Sequence, residues 1–179
     1  MKYLVILLFE LLLLADGVDG RSPLHNSVYY EDVATTRALI AQGVDVNAQN
    51  AAGLTPLHVA IKKRDLAMAK ILLDAGADID AQDNRGNTVL ILAVKKKNLE
   101  LVTFLVLRGA DLNLANDDTV TPLHQAAYSG NVAVIEFLLK AGADPMVKNE
   151  GGFTPLDFAK AKKNLAAEDM LRTYMKGKK

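Results

Sequence analysis

From Thr55 onward the apolar positions change spacing in a fixed order. Leu57, Ala60 and Ile61 are placed to share one face of a short helix. Thr55 before Pro56 supplies its start, a hydroxyl acceptor followed by a proline whose missing N–H costs the first turn nothing. Leu66, Ala69, Ile71, Leu72 and Leu73 are the apolar positions of a second helix, which Gly76 is placed to end in left-handed backbone. The stretch that closes on Leu54, with Gly53 as a turn residue, is polar and reads as a hairpin-like finger. A helix pair of this size cannot bury its apolar face alone. It needs copies of itself on either side.

Those copies are present. Thr55-Pro56-Leu57-His58 returns as Thr121-Pro122-Leu123-His124, weakens to Ser22-Pro23-Leu24-His25 and Thr154-Pro155-Leu156-Asp157, and survives only as Thr88-Val89-Leu90-Ile91 in the middle. The strings begin at 22, 55, 88, 121 and 154, a constant step of 33 residues. Gly43, Gly76, Gly109 and Gly142 keep the same step, and each is followed two residues later by Asp45, Asp78, Asp111 or Asp144. The small residues Ala60, Ala93, Ala126 and Ala159 also recur in phase, which would let successive pairs approach closely.

Period and string together resemble the ankyrin repeat family, over about residues 21 to 175. The resemblance implies an all-α solenoid of stacked helix-turn-helix units with β-hairpin fingers. Here that means a domain over 18–179 with about five repeats, at roughly 21–53, 54–86, 87–119, 120–152 and 153–179. The family usually places Gly between the two helices. This chain has Arg64, Lys97 and Lys163 there and keeps only Gly130, so these side chains must accept left-handed backbone or reshape the turn. The Lys95-Lys96-Lys97 run is expected to make the least regular of these turns. The third repeat, with Val89 and Ile91 for Pro and His, is expected to rely more on apolar packing.

The ends depart from the pattern as solenoid ends must. Glu168 replaces Ala69, Val102 and Ile135, and Arg172 replaces Leu73, Val106 and Leu139, so the fifth repeat reads as a C-terminal cap. Asn26, Ser27 and Ala38 make the first repeat atypical. Residues 1–17 carry Lys2, an apolar run interrupted by Glu10, and small residues at Ala15 and Gly17. They read as a secretory signal peptide, too short for a stable membrane span. The competing reading is an N-terminal capping helix, because Leu13 to Asp19 echoes Leu39 to Asp45. The first reading places the protein in the periplasm or outside the cell, the second in the cytoplasm.

Composition narrows the chemistry. Lys plus Arg and Asp plus Glu each total 21, which removes a net-charge argument for nucleic acid. There is no Cys, hence no disulfide, thiol nucleophile or cysteine-ligated metal. His25, His58 and His124 occupy one repeat slot and read as structural bridges between adjacent repeats, as Gly43, Gly76, Gly109 and Gly142 read as structural helix ends. Neither a Gly-rich phosphate loop nor a catalytic triad can be assembled. The expectation is therefore a monomeric, non-catalytic protein without cofactor, metal or small-molecule substrate.

The resemblance further implies that a partner protein is bound by the fingers and by the ends of the first helices. Carried over by register, the finger positions include Leu54, Arg85, Asn87, Asp117, Asp118, Val120 and Phe153. The helix ends form two rows, Tyr29, Lys62, Lys95, Tyr128 and Tyr30, Lys63, Lys96, Ser129, Lys162. Tyrosine supplies amphipathic contact area, and lysine would steer an acidic partner. Leu54, Val120 and Phe153 are expected to be exposed apolar contacts. The alternatives are a structural or accessory exported protein, or a nucleic-acid-binding solenoid that uses the lysine rows.

Overall fold

The computed structural model describes residues 20–177, and the expectations for residues 1–17 fall outside them. The described residues form two compact units, one running to Asn84 and the other from Arg85. The first holds α1 (Pro23–Tyr29), α2 (Val33–Ala41), α3 (Pro56–Lys63) and α4 (Leu66–Asp74). The second holds α5 (Val89–Lys95), α6 (Leu99–Leu107), α7 (Pro122–Ser129), α8 (Val132–Ala141), α9 (Pro155–Ala161) and α10 (Leu165–Gly177). Each first helix packs on its own second helix. Within a unit it also packs on the first helix of the next pair: α1 on α3, α5 on α7, and α7 on α9.

Every first helix starts on the predicted hydroxyl. Ser22, Thr55, Thr88, Thr121 and Thr154 each accept from the backbone N–H three residues on. In four of the five, that third residue answers with its own side chain. The Thr121 N–H donates to His124 Nδ1 at 3.3 Å, and Thr154 N–H donates to Asp157 Oδ2 at 3.1 Å. Because an N–H can only donate, His124 Nδ1 is the acceptor and Nε2 carries the proton. Nε2 then donates to the Phe153 carbonyl at 3.0 Å, one repeat further on, and His25 Nε2 reaches the Leu54 carbonyl at 2.7 Å in the same way. The expected bridging role of the histidines thus has a fixed tautomer and direction. In α5, Ile91 cannot answer Thr88, and Val89, Leu90, Ile91, Ala93 and Val94 are all fully buried, in line with the apolar packing expected there.

The helix ends are equally uniform. After each first helix, two backbone bonds close one left-handed turn, as in Lys97 N–H to Val94 O at 2.9 Å and Asn98 N–H to Ala93 O at 3.3 Å. Glu31, Arg64, Lys97, Gly130 and Lys163 all take positive φ, from 55° to 68°. The Lys97 turn is therefore as regular as the others, contrary to expectation. The two bonds outweigh the discomfort of a Cβ in left-handed backbone, so the side chain yields and the turn does not. Gly130 has a further reason to remain glycine: a Cβ there would come within 2.9 Å of the Asn164 side chain, whose amide donates to the Ala127 and Tyr128 carbonyls. Gly43, Gly76, Gly109 and Gly142 end the second helices with the same pair of bonds.

The slots of Ala60, Ala93, Ala126 and Ala159 are fully buried. In the first repeat the slot holds Ser27, whose hydroxyl donates to Leu24 O at 3.0 Å and accepts from Thr36 at 2.9 Å. At the far end Glu168 pairs with Arg172 at 2.8 Å, and the Tyr174 hydroxyl donates to Leu139 O at 2.7 Å. The fingers differ from the expected β-hairpins. Among the described residues no strand forms, and only Gln82 and Thr88 are isolated bridge residues. An asparagine closes three of the fingers, Asn50, Asn116 and Asn149, where the remaining one has Asp83: Asn50 N–H donates to Leu54 O at 3.0 Å, while Asn50 Oδ1 accepts from the Ala52 and Leu54 N–H groups. A side chain that satisfies the turn leaves no length for a ladder. Asp45, Asp78, Asp111 and Asp144 each accept from the N–H two residues on, which accounts for their recurrence.

Two predictions follow from these caps and turns. Lys97→Gly should raise stability by roughly 0.5–1 kcal/mol, because relief of left-handed strain exceeds the added chain entropy, whereas Gly130→Ala should lower it. Chemical denaturation of the two variants reads both signs. The second concerns acid. Burial is the largest cause holding His124 below its ordinary 6.5, against the pull of the Phe153 and Val147 carbonyls. The unfolded chain therefore binds the extra proton first, so stability is full above about 6.5 and falls as pH drops through the window beneath it. The Thr154 hydroxyl, then its N–H, holds Asp157 below 3.8, so its contribution is lost only at lower pH. Melting curves from pH 7.5 to 5 should show a falling Tm, and His124→Gln should be less stable at pH 7.5 but lose less between these pH values.

Candidate functional site

In the first unit, the ends of α1 and α3 gather three of the predicted contact residues. Tyr29 is 41% exposed and Tyr30 74%, with their rings edge to face at 5.3 Å. The Arg21 guanidinium lies 4.7 Å from the Tyr29 centroid and Lys63 Nζ lies 5.0 Å from it. Lys63 also pairs with Glu31 at 3.0 Å. Its charge is therefore shared with groups of its own unit, while Lys62 beside it is exposed. Leu54 is half-buried, because its carbonyl is the receiver of the His25 bond. The expectation that it is an exposed apolar contact is corrected.

In the second unit the finger and helix-end positions separate into three kinds. Arg85, Asp117 and Asp118 are exposed, Lys96 is half-buried, and Val120 is half-buried rather than an exposed contact. Asn87 is the clearest departure from expectation. It is 4% exposed, and its Oδ1 accepts from Lys95 Nζ at 2.8 Å and Asn116 Nδ2 at 3.2 Å. It is a buried polar joint between finger and helix, not a contact residue. Lys95, although exposed, has its ammonium tied to that joint, so the lysine row is not a strip of equivalent charges.

The third kind is an aromatic group at α7 and α9. Tyr128 is 46% exposed and Phe153 55%. Lys162 Nζ stands 4.2 Å from the Tyr128 centroid, and the Phe158 ring meets His124 at 5.0 Å and Tyr128 at 6.4 Å. Tyr128, Phe153 and Phe158, together with Gly152, Asp157, Lys160 and Ala161, line a cleft of about 600 Å³, within the range of ligand-sized pockets. Tyr128, Phe153 and Lys162 are among the contact residues expected from the sequence, and the structure places them at the ends of α7 and α9 and in the adjoining finger. Phe158 and Ala161 were missed, although the repeat register carries the signal for Ala161: it stands 33 residues after Tyr128, where the row of large side chains stops.

The remaining chemistry is spent on structure. His25 and His124 are held between a cap and a finger, and among the described residues no group of three or more His, Asp or Glu is placed to hold a metal ion. Among the described residues every buried side-chain nitrogen and oxygen has a partner, and no helix is long and apolar enough to cross a membrane. What the surface offers is aromatic area beside cations held over the rings.

Comparison with known families agrees with the architecture. A family model described as ankyrin repeats in many copies matches residues 39–93, one for ankyrin repeats in three copies matches residues 90–174, and one for a single ankyrin repeat matches residues 19–51. No curated protein matches the chain. With family matches running from residue 19 to residue 174 over helix pairs that repeat every 33 residues, the chain belongs to the ankyrin repeat family.

Proposed function

We propose that this protein is a non-catalytic module that binds a partner protein through the ends of its first helices and the adjoining fingers. Ankyrin repeats generally serve protein–protein interaction, and that holds at the level of the family. For this chain, the supporting observation is the pairing of exposed aromatic rings with cations at equivalent repeat positions. Tyr29 lies beside Arg21 and Lys63 in one unit, and Tyr128 lies beside Lys162 in the other. A tyrosine held by a cation loses little further freedom on binding and presents a flat apolar ring with a polar tip. Such residues are frequent among those that dominate interface energies.

The contacts proposed are Tyr29, Tyr30 and Lys62 in the first unit and, in the second, Tyr128, Phe153 and Lys162 with Arg85, Asp117 and Asp118 as finger contacts. Lys63, Lys95 and Lys96 belong to their edges. The apolar run within residues 1–17 supports a second proposal, export from the cytoplasm, in which case the partner is met in the periplasm or outside the cell. The mass and N-terminal sequence of the protein recovered from its native cell decide between a removed and a retained leader.

Binding is tested by panning a displayed library of protein fragments against the immobilised chain, then repeating the measurement with Tyr29, Tyr30, Tyr128 and Phe153 changed to Ala. The exposed positions predict a fold stability little altered. Affinity for the selected fragments should fall at least about tenfold, the loss of one dominant contact. If the alanine variant keeps every selected fragment at unchanged affinity, the proposed surface is wrong.

A further inference from the structure

The cleft at α9 exists because one repeat position changes character. Tyr29, Lys62, Lys95 and Tyr128 fill the same slot at the end of the first helix in repeats one to four, and repeat five has Ala161 there. The space left open is the cleft of about 600 Å³, walled by Tyr128, Phe153 and Phe158. Its wall is largely aromatic, with Ala161 as the floor where a large side chain would stand. The rings are held rather than loose: Phe158 is wedged against His124 and Tyr128. A pocket whose walls are fixed by a buried histidine requires little ordering when it is filled.

Charge selects the occupant. The only carboxylate in the lining, Asp157, already accepts from the Thr154 N–H and hydroxyl and pairs with Lys160 at 3.3 Å. It is spent on starting α9. Lys160 lines the cleft with its ammonium shared with Asp157, so the charge not matched by a carboxylate of the lining is that of Lys162, which stands over the Tyr128 ring. Lys160 also stands where repeats two to four bury Ile61, Val94 and Ala127. An occupant therefore meets a cation where a further helix pair would need an apolar surface, which disfavours a second copy or another repeat.

We infer that this cleft is the anchor pocket of the binding surface and that it takes one bulky apolar side chain of a partner peptide whose flanking residues are acidic. The inference rests on the protein-binding reading above and gives it a chemical specificity. The anchor fills the vacant Ala161 slot against the three rings, and flanking carboxylates pair with Lys160 and Lys162. In the four preceding repeats the same slot is filled by the chain's own Tyr or Lys.

The test uses the full chain and fluorescein-labelled dodecapeptides with a single central Leu, Met or Phe, in three sets whose flanks are Asp/Glu, Ser/Gly or Lys/Arg. Anisotropy should rank the acidic set tightest, by at least tenfold over the basic set. Ala161→Tyr restores the residue that repeats one and four carry in this slot, so it should fold normally while weakening the acidic peptides at least tenfold. Lys160→Glu with Lys162→Glu should reverse the preference toward basic flanks. Equal binding of the three sets, tighter binding of the single strand dT12, no binding by any peptide, or full affinity in Ala161→Tyr would each overturn the pocket. Selected protein fragments lost by the four-alanine variant but kept by Ala161→Tyr would overturn the pocket alone. Fragments kept by both variants would overturn the binding surface as well.

Discussion

A first helix of seven or eight residues is too short to persist alone in water, since nucleating a helix costs more than so few backbone bonds return. Everything else in this fold answers that constraint. The hydroxyl caps and the proline at the next position prepare the first turn, and the paired bonds after each helix close the last one. Neither is sufficient without neighbours. The fully buried Leu57, Leu90 and Leu123 gain their burial from packing between elements, at roughly 2 kcal/mol for each such side chain. The alanine slots keep the pairs close enough for that packing to be dry.

The same constraint explains why so much polar chemistry is engaged in holding the repeats together. His124 connects the cap of one helix to the carbonyl of the next finger, and Asn87 joins its finger to Lys95. These side chains do the work that a longer helix would do by its own backbone. The surface chemistry that is left consists of rings and cations at the helix ends. Tyr29 and Tyr128 are 99 residues apart in sequence, three repeats, yet each has a lysine or arginine over its ring.

Much of the local architecture was legible before any coordinates. The 33-residue step, the Thr-Pro starts and the glycine ends depend on backbone geometry within a few residues, and such requirements appear directly as residue types. The first repeat and the C-terminal cap could be read because their polar substitutions fall in phase with known apolar slots. The fingers were read less well. Whether a finger forms a ladder or a turn closed by a side chain such as Asn50 depends on bonds that a composition of turn residues does not distinguish.

The site divides along the same line. By itself the sequence determined the repeat, the positions of the helix ends and which side chains stand there, since each follows from spacing along one chain. Only the tertiary structure decided what those side chains meet. Asn87 is buried and its amide, eight residues away, captures the Lys95 ammonium, while Glu31 and Tyr29 share the charge of Lys63. The cleft at Ala161 appeared because the absence of a side chain becomes a cavity only when Phe153, Phe158 and Tyr128 are brought around it. Register records which residue occupies a slot, whereas a cavity depends on atoms that converge from separate helices and a finger, and their distances are set by packing.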